Sequence, residues 1–506
     1  MDLLQFLVFI PAAFFAFSAS AAAYTCKRML SLSGRRKSGV EKRGGDKKDS
    51  GKKARSEPQS SDEDFTKEKQ FKKIDYLFKT TFFTGLSAAV LCFSAIALLG
   101  WIIVSRAEGF EAAYRYYAPD GSLFYSLTGI WASEGGALLI WVFLNSIYAI
   151  WLFLQILYHA PFIDRKKWKL TDKSSLKSAI VVLASYSSVS FISFLLTLGA
   201  AITHPFRSGS SGAGLSVQLL SPWMAVHPPV VFAGYSLLAG GALLIMFQTA
   251  IGLPESPIQG SIQRKVPSGE PSYHFSLINK SIYYSLILSF IFLTLGIGLG
   301  AIWSYQTFGW GGLWAFDPVE NTSLLPWMAS LAGLHLVFSG TKNTTRDIVI
   351  SGISLIAITA AALVTRSGSL IAGGALLHSW EKSTTGFFVS LIGISSLGLT
   401  LLILLLKEDE KNQKREKKHG ATVFSFEKKS GNASDNFFLL ALPFISAALY
   451  VLTGVFAGKG TGEESFFLPG FLLISIYLLV SLSVCSVRTL WKNPTFKKNR
   501  DSLLRN

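Results

Sequence analysis

Apolar residues arrive along this chain in long continuous runs rather than in the two-residue alternation of a half-buried strand. Eleven runs have the length of a bilayer crossing: residues 3–23, 80–104, 129–157, 179–201, 228–251, 281–302, 324–340, 348–365, 386–406, 436–457 and 467–487. A helix needs about 20 apolar residues to span the hydrocarbon layer, and only helices and closed barrels satisfy their own backbone there. The pattern predicts an all-α, polytopic membrane protein with about eleven transmembrane helices. Composition agrees, since half of the 506 residues are hydrophobic and the mean hydropathy is +0.40.

Charge orients the runs. Of the 48 Lys and Arg residues, 42 fall in segments 27–79, 158–178, 252–280, 341–347, 407–435 and 488–506. The other six, Arg106, Arg115, Arg207, Arg366, Lys382 and Lys459, lie on the opposite side. Basic loops stay cytoplasmic, so the N-terminus is expected outside and the C-terminus in the cytoplasm. The net charge of +17 comes largely from residues 27–79 and 407–435, whose Ser, Gly, Lys and Glu cannot build a core. They read as solvated segments that can touch anionic membrane lipid, and nothing in them calls for nucleic acid. The expected organisation is a first transmembrane helix in 1–26, a disordered basic loop in 27–79 and a membrane core in 80–406. A charged loop at 407–435 and two last helices with a basic tail in 436–506 follow.

Asp2 precedes the first run and the basic residues follow it, the reverse of a cleaved signal. Cys26, Cys92 and Cys485 are far apart and form no CxxC, which excludes encoded thiol exchange and covalent haem attachment. There is no zinc-spaced His/Cys cluster, Walker loop or Gly-x-Ser-x-Gly.

The chemistry concentrates outside. "WGGLWAFDPVENTSLLPW", residues 310–327, lies between the sixth and seventh runs. Asp317 fits an N-cap, Pro318 the first helical position and Glu320 the third, while Pro326 marks a kink or the membrane helix start. Capping plus an interfacial aromatic belt is one reading; the Gly311–Gly312 pair beside the aromatics favours a flat object approaching the backbone. Of seven histidines, His159, His274 and His419 belong to cytoplasmic segments, and His204 ends the fourth run in a structural role. His227 precedes Pro228–Pro229 at the outer mouth of the fifth run, and His378 follows the eighth. His335 is nine residues past Pro326, about 14 Å along a helix and therefore deep in the membrane, where an ionisable group marks a functional site. Two outer imidazoles beside an aromatic platform suit a flat, apolar, iron-bearing ligand.

"TLGIGLGAIWSYQTFGWGGLWAFDPVENTSLLPWMASLAGLH" resembles the tryptophan-rich WWD segment of the CcmF-like family of cytochrome c biogenesis proteins. Agreeing stretches are "GFEAAYRYYAPDGSLFYSLTGIWASEGGALLIW", "LLSPWMAVHPPVVFAGY" and "LVTRSGSL", in family order from about residue 80 to 380. The resemblance implies a haem-lyase-type role in the bacterial inner membrane: accepting haem from a periplasmic chaperone and joining its vinyl groups to the CxxCH thiols of apocytochrome c. It implies thiol-handling assembly subunits as further partners. It makes His227 and His378 the outer haem ligands, Trp303, Trp310, Trp314 and Asp317 part of the haem surface, and His335 the ligand of a separate haem b. Phe316 stands where the family usually has Trp, about four extra residues separate Arg366 from His378, and no His follows His419 to pair with His335. A transporter or haem exporter, and a haem-free assembly scaffold, are the competing readings.

Overall fold

The computed structural model describes residues 3–41, 60–155, 163–164, 169–170, 173–253, 273–308, 313–314, 318–339, 343–366 and 385–419. Its helices are α1 (Leu3–Glu41), α2 (Ser60–Ser105), α3 (Glu111–Arg115), α4 (Leu123–Ala132), α5 (Glu134–Leu154), α6 (Lys173–Ile202), α7 (Pro222–Ile251), α8 (Tyr273–Phe308), α9 (Pro318–Ser339), α10 (Thr344–Arg366) and α11 (Thr385–His419). A two-residue antiparallel pair, β1 (Ile163–Asp164) with β2 (Lys169–Leu170), is a minor addition between α5 and α6.

Among the described residues, eight helices are long and apolar enough to cross a membrane: α1, α2, α5, α6, α7, α8, α10 and α11. The expected run at 324–340 lies in α9, a 22-residue helix outside that set, whose Glu320, Asn321 and His335 dilute its apolar content. The last two expected runs, 436–457 and 467–487, lie outside the described residues. Two expectations need correction. Run 129–157 is not one helix but α4 and α5, broken at Ser133. The basic segment 27–79, expected as a disordered loop, is helical in 27–41 and 60–79, because α1 and α2 continue past their apolar stretches.

Helix α7 organises the bundle. It pairs most extensively with α8 and also packs on α5, α6 and α10, and it is the most buried of the spans, whereas α8 and α11 are the least buried. On the far side, α1 packs on α2 and α6. Small hydroxyl residues hold these contacts where lipid offers no competing water. Ser18 Oγ donates to the Thr81 carbonyl at 3.0 Å and lies 3.0 Å from the Tyr186 hydroxyl, joining α1, α2 and α6. The Tyr148 hydroxyl and Ser285 Oγ, 2.9 Å apart, join α5 to α8.

Candidate functional site

At the end of the bundle opposite the basic segments, helices α7 and α9 begin and α8 and α10 finish. The α4–α5 corner and a 3-10 turn, Val217–Leu219, close the same end. Between them is a cleft with an empty volume of about 1510 Å³, counting the space at its open mouth. Its walls are mainly apolar and aromatic, and among its described lining residues His227 and Glu320 are the imidazole and the carboxylate.

His227 owes its place to local sequence. Pro222 starts α7 at its first position, and one and a half turns later the imidazole leaves the helix toward α8. Its Nδ1 lies 2.7 Å from the Gly296 carbonyl, so in the neutral ring Nδ1 donates and the lone pair sits on Nε2. Gly300 makes that position available: a Cβ there would lie 2.8 Å from His227 Cε1 and 3.0 Å from Nδ1. The Trp303 ring lies nearly parallel to the imidazole, at 22° with centroids 6.5 Å apart. Trp303 is buried, and its Nε1 donates to the Gln218 carbonyl at 2.9 Å, tying α8 to the 3-10 turn. Trp314 also lines the cleft, with Nε1 donating to Asn321 Oδ1 at 3.3 Å.

The turn itself is anchored by a clasp between two outer loops. Gly209 N donates to the Gly109 carbonyl at 3.0 Å, Gly214 N to Tyr114 at 2.8 Å and Leu215 N to Tyr117 at 2.9 Å. Glu111 binds Arg207, and its other oxygen lies 2.8 Å from Arg115 Nε. The Arg207 hydrogen bond and then the two guanidinium charges hold the Glu111 carboxyl below the usual carboxylate range, against partial desolvation. Arg106 lies 4.2 Å over the Tyr117 ring.

Of the residues singled out in sequence, His227, Trp303 and Trp314 share this cleft. His335 does not line it; it sits further along α9 with Nδ1 2.8 Å from its own helix carbonyl, Leu331 O. His378, Trp310 and Asp317 lie outside the described residues. His204 takes a positive φ of 49° where α6 ends, in keeping with a structural role. Sequence reasoning treated Glu320 only as a capping residue and passed over Trp131. Glu320 is 9% exposed, lines the cleft, and accepts from Ser304 Oγ of α8 at 3.4 Å. Trp131 faces the cleft because Ser133 ends α4 and caps α5, accepting from Gly136 N at 3.1 Å. Gly136 permits the corner, since a Cβ there would lie 1.9 Å from the Ile130 carbonyl oxygen. The break was legible in "WASEGG" as a cap motif inside an apolar run.

Fold and site together define a multi-pass membrane protein that carries an aromatic, imidazole-bearing ligand cleft at one end of its bundle. Residues 141–372 match the family model described as cytochrome C assembly protein. The chain is 26% identical to the cytochrome c-type biogenesis protein ccl1 of Rhodobacter capsulatus over 363 residues, 71% of this chain and 48% of that one. It is 27% identical to NrfE of Haemophilus influenzae, covering 64% and 45%, and 25% identical to CcmF of Escherichia coli, covering 62% and 44%. A solved structure named cytochrome c heme lyase CcmF superposes with a TM-score of 0.53 at 17% identity, covering 94% of this chain and 61% of the other, a likeness of fold. Over residues 141–372 the chain is similar to the cytochrome C assembly family, of which CcmF and NrfE are the named relatives. It spans about half the length of the curated relatives it matches.

Proposed function

We propose that this chain handles haem during assembly of c-type cytochromes in the bacterial inner membrane. The cleft binds haem, and the chain presents it, within a complex, to the CxxCH thiols of apocytochrome c. The observation that carries this reading is the His227 corner. A carbonyl holds one ring nitrogen and leaves the other to carry the lone pair, in an apolar, aromatic cleft that only glycine at position 300 leaves room for. A donor bond from the remote nitrogen is how proteins fix a ligating imidazole's tautomer and raise its basicity.

Bound haem would supply the vinyl groups that become thioethers. His227 would take the iron through Nε2, and Trp303 and Trp314, with Trp310, would support the porphyrin plane. The apolar walls would keep water from it. His378 is the proposed second outer ligand, and Asp317 the cap that shapes the platform's edge. A periplasmic haem chaperone and thiol-handling subunits are the proposed partners, following the biogenesis names of the relatives. His335 is proposed to ligate a separate haem b. Its Nδ1 bond to Leu331 O puts the lone pair of the neutral ring on Nε2, the atom that would hold the iron.

The test is visible spectroscopy of the detergent-purified protein, beside His227→Ala and His335→Ala. His227→Ala should lose most of its affinity for added haem, and His335→Ala should lose a co-purifying b-type spectrum. A wild-type protein that takes up no haem and shows none on purification would leave the scaffold reading in its place.

A further inference from the structure

Two groups of opposite character line the cleft from different helices, and they bear on which way round a flat, two-edged ligand enters. On one wall, at the end of α4, the Trp131 Nε1–H is buried and has no hydrogen-bond partner. A buried N–H without an acceptor is costly, and native proteins leave few of them. On another wall, in the first turn of α9, Glu320 is the one carboxylate among the described lining residues. No Lys or Arg lines the cleft among those residues. The two helices both pack on α7.

Both groups are set firmly. Trp131 is the penultimate residue of α4 and stands two residues before the Ser133 corner, whose backbone Gly136 and Ile130 lock together. Glu320 is the third residue of α9, where the helix N-terminus favours a negative charge, and Ser304 Oγ adds a hydrogen bond from α8. Neither placement depends on a ligand.

Haem is a disc with two carboxylates on one edge and vinyl groups on the opposite one. A carboxylate brought next to Glu320 meets a like charge in a poorly solvated wall; next to Trp131 it meets an unused donor. We propose that the Trp131 indole N–H and the Glu320 carboxylate together set the orientation of the bound disc. The propionate edge lies toward the α4–α5 corner, and the vinyl edge toward the start of α9 and Trp314. This rests on the haem reading of the same cleft and adds to it two residues, one attractive and one repulsive, that select between the two ways in.

The test compares binding of haem and of haem dimethyl ester, in which both propionates are uncharged, by absorbance titration of the full-length purified protein. Wild type, Trp131→Phe and Glu320→Gln are compared, each first shown to be monodisperse and equally heat-resistant. Trp131→Phe keeps the ring and removes the N–H, and should weaken haem about tenfold, the scale of a hydrogen bond to a charged group. It should weaken the ester by less. Glu320→Gln should strengthen haem several-fold, leave the ester unchanged, and split the haem-methyl proton resonances into two sets as the disc binds both ways round. Glu320→Asp should keep one set. If both variants leave the haem-to-ester preference and the single set of resonances as in wild type, while haem still binds, the orientation is not set by these residues. If the wild type binds neither compound, the haem reading fails and takes this one with it.

Discussion

Gly300→Ala is a one-methyl perturbation aimed at the His227 corner. The added Cβ would sit 2.8 Å from His227 Cε1, whereas ordinary contact begins near 3.4 Å, so the ring must retreat by about 0.6 Å, the difference of those two distances. It cannot retreat for nothing, because Nδ1 is already 2.7 Å from the Gly296 carbonyl on the same helix. Moving away from α8 lengthens that bond and turns Nε2 off its line. Overpacking costs roughly 1–3 kcal/mol, and weakening the bond about 1 kcal/mol more. The better helix propensity of Ala returns somewhat under 1 kcal/mol. Net stability should therefore fall by about 1–3 kcal/mol, while haem affinity, which depends on the displaced nitrogen, should fall about tenfold or more. The control is on the same helix. A Cβ at Gly298 meets nothing within 4 Å, so Gly298→Ala should leave affinity alone and stability unchanged or slightly raised. Haem titration by absorbance and unfolding in mixed micelles read the two quantities separately. Equal haem affinity in Gly300→Ala and wild type, or equal damage in Gly298→Ala, would refute the reasoning about this corner.

Three further outcomes follow from the geometry. Tyr148→Phe removes one buried link between α5 and α8, yet Ser285 Oγ still donates to the Ser281 carbonyl at 2.6 Å, so no group is orphaned. Unfolding in mixed micelles should show a loss near 0.6 kcal/mol, the average for such bonds in membranes, and a loss above about 2 kcal/mol would contradict it. Gly136→Ala drives a methyl to 1.9 Å from the backbone oxygen of Ile130, which cannot rotate away, so the α4–α5 corner should open and the yield of monodisperse protein should collapse. Glu111 gives the outer clasp a pH dependence. Its folded-state value lies below the ordinary carboxylate value, so its contribution is complete above that ordinary value and is lost as pH falls through the lower, folded one. Protection of the Gly209, Gly214 and Leu215 amides, measured against their intrinsic exchange rates, should therefore fall in acid in wild type, and Glu111→Gln should show low protection throughout with little pH dependence.

Much of the bundle could be read from hydropathy because the bilayer imposes one strict demand, that every spanning segment bonds its own backbone. Runs such as 179–201 and 228–251 reappear inside α6 and α7 for that reason. The same demand says little where a helix stops. Ser133 sits in an apolar stretch and splits it by capping, and α1 and α2 continue well beyond their apolar parts, because a helix once begun continues at little cost into Lys- and Glu-rich sequence.

The site divides along a similar line. His227, Trp303 and Trp314, which line one cleft, could be singled out from residue type and from a family pattern. Nothing in the linear chain brings residue 131 into one cleft with residues 227 and 320; that needs α4 and α9 both to pack on α7, and packing is set by small residues whose partners are remote in sequence. Gly300 illustrates the gap. In sequence it is one glycine among several in "TLGIGLGA", and only the position of the His227 ring against it separates it from Gly298 two residues earlier. The family pattern therefore identifies groups that touch a ligand more readily than groups that make space for it. Glycines and unpartnered donors at the ends of α4, α7 and α8 are where substitutions should alter haem binding without touching a ligating side chain.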